Sequence, residues 1–131
     1  MIKKTTWGKL SFYLFGDTLT VCNTACTTQG IPSYNKRIER IYKNYTQYLL
    51  DRSPDFQTAF GYPKNAPGTA NLTVCSNYIS EAFQCVAITL EQPFKDSDIT
   101  PMPEVGWSPQ RAKHFGAACL AACVPLLSDL E

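Results

Sequence analysis

Histidine is nearly missing from this sequence: there is one, His114, in 131 residues. A metal centre built on imidazoles needs further donors at short spacing, and nothing around His114 supplies a second. That residue reads as a surface or core-edge side chain. Long apolar runs are lacking too. No stretch approaches the roughly 18 residues that a helix needs to span a bilayer. Nor is there a surplus of one charge, since 12 Lys and Arg stand against 11 Asp and Glu, a net +1. So even a balance excludes strong attraction to nucleic acid or anionic membranes, and neither is expected as a partner. No Gly-x-Gly-x-x-Gly or Walker pattern occurs, so Gly68 belongs to a turn and not to a phosphate loop. No internal repeat or low-complexity tract is present, and the length suits one domain with a modest core.

The opening Met1-Ile2-Lys3-Lys4 has the charge of a leader. However, Thr5, Thr6, Gly8, Lys9 and Ser11 break up the apolar core that should follow. The expectation is a cytoplasmic protein, in which the sequons at Asn44 and Asn71 have no consequence. In a reducing compartment the six cysteines, at 22, 26, 75, 85, 119 and 123, should be thiols. Cys22 with Cys26 and Cys119 with Cys123 offer a four-thiolate zinc site in principle. The second pair lies in an Ala-Ala-Cys-Leu-Ala-Ala-Cys-Val helix face, where a small hydrophobe is wanted, so packing is favoured there. The local structure around the first pair is open.

Helical spacing of Ile38, Ile41, Tyr42, Tyr45 and Leu49 predicts a helix from Asn35 to near Arg52, stopped by Ser53-Pro54. Its basic cluster, Lys36, Arg37, Arg40 and Lys43, reads as a solvated face. Residues 56–67 are irregular, given Gly61, Pro63, Asn65 and Pro67. A second helix is predicted over 69–82, with Leu72, Cys75, Ile79 and Phe83 on one face. Ser108 followed by Pro109 is a helix start, a capping hydroxyl before a proline at the first position. That last helix should turn Ala112, Phe115, Cys119 and Cys123 inward and end or kink at Pro125. Lys9 to Phe15 reads as a strand, and the stretch from Thr18 to Gln29, without clear period, as a loop or a degenerate remnant. The order of elements fits an α/β class, a partial mixed sheet flanked by helices.

Glu91 is the most informative residue. It ends Cys85-Val86-Ala87-Ile88-Thr89-Leu90-Glu91, a β-branched, non-alternating run that suits a strand covered on both faces. Pro93 should stop the pairing. In open α/β sheets ligands sit outside the carboxyl ends of the strands, which is where this acid would lie. From spacing alone it is either a solvated strand-end carboxylate or a general base in a partly desolvated cleft. Lys95 and Asp96 are exposed loop charges or contributors to that cleft. Trp107 should pack the last helix against the sheet.

The segments Ile88-Thr89-Leu90-Glu91-Gln92-Pro93-Phe94-Lys95-Asp96 and Gly106-Trp107-Ser108-Pro109 resemble the end of a zinc carboxypeptidase domain. The relatives are the cytosolic-type branch of the carboxypeptidase A-like family. Upstream, Gly30-Ile31-Pro32-Ser33-Tyr34, Ser53-Pro54-Asp55-Phe56-Gln57, Gly61-Tyr62-Pro63 and Gly68-Thr69-Ala70-Asn71-Leu72 resemble that branch in the same order. The likeness covers residues 30–131, and residues 1–29 match poorly. It implies the C-terminal part of a catalytic domain that removes C-terminal residues from peptides or proteins. Glu91 would then be the catalytic base that takes a proton from a zinc-activated water and passes it to the leaving amine.

The departures from the pattern carry equal weight. No His-x-x-Glu, the family's first zinc pair, occurs. In register, Leu14-Phe15-Gly16-Asp17-Thr18 falls on the segment that holds the second zinc histidine. Phe15 stands at the ligand position, and a phenyl ring has no lone pair for zinc. Asp17 resembles the acid that orients that histidine, but it has nothing to orient. The resemblance therefore implies zinc that this chain alone does not hold, and no metal ligand is assigned. The expectation is a catalytic position without activity, unless a missing N-terminal part completes it. A non-catalytic remnant or interaction module is the alternative, with a cut sheet exposing an edge and an apolar face.

Overall fold

The computed structural model describes residues 10–16, 24–27, 29–93 and 95–129. Strand β1 runs over Leu10–Gly16 and β2 over Thr24–Thr27; helix α1 spans Lys36–Arg52 and α2 Cys75–Phe83. Strand β3 follows at Val86–Gln92, then helix α3 at Pro109–Cys123 and a 3-10 helix at Val124–Asp129. The sheet order is β1-β3-β2, with β1 parallel and β2 antiparallel to the central β3. This is the mixed, partial sheet expected. The stretch read as a loop or remnant after Thr18 is corrected in part, because it contains β2. Residues 17–23, and with them Asp17 and Cys22, lie outside the described residues.

Helix α1 begins where its cap dictates. The Asn35 side chain accepts from the N–H groups of Arg37 and Ile38, both at 3.0 Å. Its apolar stripe buries Ile38, Ile41, Tyr45 and Leu49 against Val86, Ile88 and Leu90 of β3 and against Phe115, Cys119, Ala122 and Leu126. The basic face is less idle than its pattern suggested. Arg37 donates to the Asp129 carbonyl at 2.9 Å and Arg40 pairs with the Asp129 carboxylate at 3.5 Å, tying α1 to the end of the chain. At the start of α3, Ser108 Oγ accepts from the Arg111 N–H at 3.3 Å, with Pro109 at the first helical position. Pro125 does not kink α3. The helix ends at Cys123 and tightens into the 3-10 helix.

Helix α2 departs from expectation twice. It starts at Cys75, because Asn71 takes the preceding residues into a turn. The Asn71 carboxamide oxygen accepts from Thr73 N–H and Oγ1, and its carbonyl accepts from Val74 N–H. Its buried residues are Ser76, Asn77 and Ser80, whereas of the apolar face read from the sequence Leu72, Cys75 and Phe83 are exposed and Ile79 is half-buried. Two of the inward polar groups bond to nearby backbone. Asn77 Nδ2 donates to the Asn71 carbonyl at 2.9 Å and Ser80 Oγ to the Cys85 carbonyl at 2.6 Å. The second bond crosses the junction from α2 to β3, where Gln84 takes a left-handed conformation at φ 50°.

One glycine is required by contact as well as by conformation. At Gly30, φ is +100°, and an added Cβ would lie 2.5 Å from Asn65 Cβ, so loop 61–68 crosses directly over it. No helix among the described residues is long and apolar enough to cross a membrane.

Candidate active-site edge

Glu91 lies where its run of residues predicted, next to the last position of the central strand. The parallel pairing brings the Phe15 backbone opposite Glu91 and Gly16 opposite Gln92. On the other side the first residue of β2, Thr24, pairs with Glu91. The carboxyl ends of β1 and β3 and the start of β2 thus meet at one edge of the sheet. Side chains alternate along a strand, so Val86, Ile88 and Leu90 face the α1–α3 core and Glu91 shares the other face with Ala87 and Thr89. Glu91 is half-buried and its Oε2 is enclosed.

The segment after Glu91 is held by a latch. Pro93 is buried and ends the strand. Gln92 Oε1 accepts from the Trp107 indole N–H at 3.2 Å. The Trp107 ring meets Phe115 edge-on at 6.2 Å between centroids, so it packs α3 against the sheet as expected. Across its other side lies the Arg111 guanidinium, 4.9 Å from the ring centroid.

Arg111 is the residue that sequence reasoning missed. Only 8% exposed, it pairs with Asp55 at 2.6 Å and with Asp96 at 3.0 Å. It also donates to the carbonyls of Thr100 at 2.9 Å and Gly106 at 3.1 Å. Hydrogen bonding to Asp55 holds the guanidinium in its charged form against the opposing effect of burial. Partial burial opposes ionisation of Asp96, but the N–H groups of Ser97 and Met102, with Arg111, outweigh it. The Asp96 carboxyl is therefore held below its ordinary value. The reading of Asp96 as an exposed loop charge is corrected; Lys95 beside it is exposed. A signal was available, because Arg111 stands four residues before Phe115 and so lies on the inward stripe of α3.

Among the described residues no three of His, Cys, Asp and Glu come together. The backbone opposite Glu91 carries Phe15, which offers zinc no electron pair. His114 is exposed on α3. Cys119 is in the core, where burial pushes its thiol up to about 11, and burial raises Cys123 and Cys85 as well. A zinc ligand must be a thiolate, so α3 disfavours that chemistry. Cys123 Sγ instead donates to the Cys119 carbonyl at 3.3 Å. Cys26 is on β2, opposite Thr89.

No protein-family model matches the chain. An uncharacterised protein of Zymomonas mobilis is 38% identical over 102 residues, covering 78% of this chain and 27% of that protein. A metallo-carboxypeptidase from Pseudomonas aeruginosa, solved with (2-guanidinoethylmercapto)succinic acid, superposes with a TM-score of 0.86 at 36% identity. That match covers 92% of this chain and 32% of the enzyme. A metallo-carboxypeptidase from Burkholderia cenocepacia superposes at 0.84 with 31% identity, covering 92% of this chain and 32% of its own. The chain thus spans about a third of the length of the carboxypeptidases it matches. Fold and sequence together match part of a metallo-carboxypeptidase-like domain.

Proposed function

We propose that this chain carries the base-bearing edge of a zinc-dependent metallocarboxypeptidase domain and is without turnover on its own. The substrates of the completed domain are peptide or protein C-termini. The observation that carries the reading is the placement of Glu91, a half-buried carboxylate at the carboxyl end of the central strand. It sits within a fold shared with metallo-carboxypeptidases. From there a carboxylate can take a proton from an attacking water and return it to a departing amine. The donors among the described residues do not fit zinc. Free thiols at Cys85 and Cys119, packed as small hydrophobes, support a reducing, cytoplasmic setting.

The test is a zinc-supplemented assay of the purified chain on peptides ending in varied residues. No hydrolysis above background is expected. Robust turnover that Glu91→Gln abolishes would overturn the claim of inactivity while upholding the base. A second reading, a non-catalytic remnant or interaction module, is favoured by Phe15 opposite Glu91 and by the apolar residues that α2 exposes. Metal analysis bears on both: stoichiometric zinc in the chain alone argues against the remnant. Zinc that disappears on replacing Cys22 and Cys119 would instead establish a thiolate site.

A further inference from the structure

We infer that the outer face of α3 and of the 3-10 helix after it docks on the same face of a second copy of this chain, antiparallel about a two-fold axis. The inference goes beyond the reading of Glu91 and holds whether or not that residue acts as a base.

Helix α3 carries two seams. The inner one, Phe115, Cys119, Ala122 and Leu126, lies in the core. The outer one is Lys113, Ala117, Leu120, Val124 and Leu127, all exposed. It advances by four, three, four and three residues, the rhythm of a helix-pairing seam. Leu120 is 71%, Val124 64% and Leu127 49% exposed. Single exposed leucines are ordinary, but a row of three along a helix already apolar on its inner side is a surface made for cover.

Gly116, beside this seam, has no role in the chain's own packing. Its φ is not positive, and a Cβ added there meets nothing within 4 Å. Inside a helix glycine is less stable than alanine, and what it offers in return is close approach of another backbone or side chain. With Ala117 it makes the first half of the seam flat, whereas Leu120, Val124 and Leu127 make the second half project.

The order of sizes and charges identifies the occupant. A cation and small residues stand at the start of the seam, and large apolar residues and the anion Asp129 stand at its end. A parallel copy would set bulk on bulk and like charge on like. An antiparallel copy, centred near Ala122, lays Leu127 on Gly116 and Ala117 and sets Leu120 beside Val124. It also brings Lys113 within about one turn of Asp129, and the contact is isologous, so each such pair forms twice. The Asp129 side chain, although paired with Arg40, keeps 31% of its surface exposed. The apolar ridge of α2 is not self-complementary in this way. Cys75–Phe83 contains one acid, Glu81, and no base, and Glu81 accepts from the Ser33 N–H at 2.9 Å. α3 and the 3-10 helix together extend roughly 35 Å. One helix pair of that length falls short of the roughly 1,200 Å² of a standard interface, so the dimer is weak and concentration-dependent.

Sedimentation equilibrium of the full chain, from about 1 μM to about 1 mM with reductant present, is the test. A reversible monomer–dimer equilibrium is expected. Leu120→Asp should raise the dissociation constant by at least about tenfold, whereas Tyr78→Asp on α2 should leave it unchanged. Gly116→Leu separates docking from folding. In dilute solution it should raise the thermal midpoint, because leucine is the better helix former, yet it should weaken the dimer by a similar factor. Lys113→Glu and Asp129→Lys should each weaken association, and an equimolar mixture of the two should restore it, since each then meets the opposite charge in the other copy. Should Asp129→Lys lose the wild-type circular dichroism with its Arg40 pairing, Leu120→Asp and Gly116→Leu decide the matter without it. A chain that stays monomeric throughout overturns the inference. So does association that is insensitive to the α3 changes or lost with Tyr78→Asp, and a folded charge-swapped pair that does not restore it overturns the antiparallel seat.

Discussion

Helix α3 turns Phe115, Cys119 and Ala122 towards the core, whereas α2, on the other side of β3 in the sequence, turns Ser76, Asn77 and Ser80 inward. The two helices are built from similar apolar content but answer to different partners. α3 finds in α1 and β3 a complementary surface within the same chain, so its stripe is buried where periodicity says it should be. α2 finds backbone carbonyls, to which Asn77 and Ser80 donate, and its apolar ridge is left to solvent. Helical periodicity thus reports that a face is made for burial, not which polypeptide buries it. Between the two regions lies the carboxyl edge with Glu91, held on the α3 side by the Arg111 latch.

The sharpest way to break this contrast is to truncate one aromatic on each side. Phe115, 1% exposed, stacks with Phe56 at 6.4 Å and meets Trp107 edge-on. Phe115→Ala should cost roughly 3–5 kcal/mol of unfolding free energy, through lost transfer energy and a cavity. Tyr78→Ala, on the exposed ridge of α2, should stay within about 0.5 kcal/mol. Urea denaturation of both variants gives the answer. Equal losses would mean that Tyr78 is already packed and that the contrast between the helices is false.

Arg111→Met sharpens the same contrast on the α3 side. The guanidinium is enclosed and its two carboxylate partners are only partly exposed, so removing it strands negative charge beside Trp107. A loss of about 2–3 kcal/mol is expected, near the lower end for a broken buried pair because water reaches Asp96. The loop from Lys95 to Trp107 should also lose protection in amide exchange. Stability unchanged in Arg111→Met would show that Trp107 and Gln92 hold that loop without the latch.

Much of this was legible beforehand, and what was not has a physical reason. The caps at Asn35 and Ser108 act over two or three residues, so α1 and α3 could be read from local pattern. β3 was legible from its β-branched run and from the proline after Glu91. The early start predicted for α2 failed because Asn71, a turn former, competes with the helix through its side chain. Spacing grouped Leu72, Cys75, Ile79 and Phe83 on one face but could not say that Ser76, Asn77 and Ser80 take the buried side. The latch was out of reach for another reason. Asp55 and Arg111 are 56 positions apart, and no periodicity relates charges at that separation. The pairing of Phe15 with Glu91 could be suspected only through likeness to a family, since nothing local in either strand encodes their register.

Ser80→Ala probes the polar side at lower cost. Ser80 is fully buried and its hydroxyl donates to the Cys85 carbonyl at 2.6 Å, across the tight passage into β3. Removing it leaves that carbonyl short of a donor, and about 1 kcal/mol should be lost. The change in urea midpoint, with the slope of the transition unaltered, is the measurement. A silent Ser80→Ala would mean that the inward hydroxyls of α2 are fillers and not ties between helix and strand.

The smallest expected effect is one of pH, and its sign follows from the latch. Asp96 is held below its ordinary value in the folded chain, so the unfolded chain binds the proton more readily. Its contribution is therefore full above the unfolded value, about 3.9 for an aspartate. It fades as pH falls through the lower folded value. Thermal midpoints of the wild type should drop more steeply below about pH 4 than those of Asp96→Asn, which carries no titrating group there. The variant's single amide oxygen can keep the bond from Ser97 N–H while that from Met102 N–H is lost, so a lower midpoint with a flatter acid limb is expected. Parallel acid limbs would show that Arg111 draws its stability from Asp55 alone. In that case the loop after Glu91 is anchored at one point and not two.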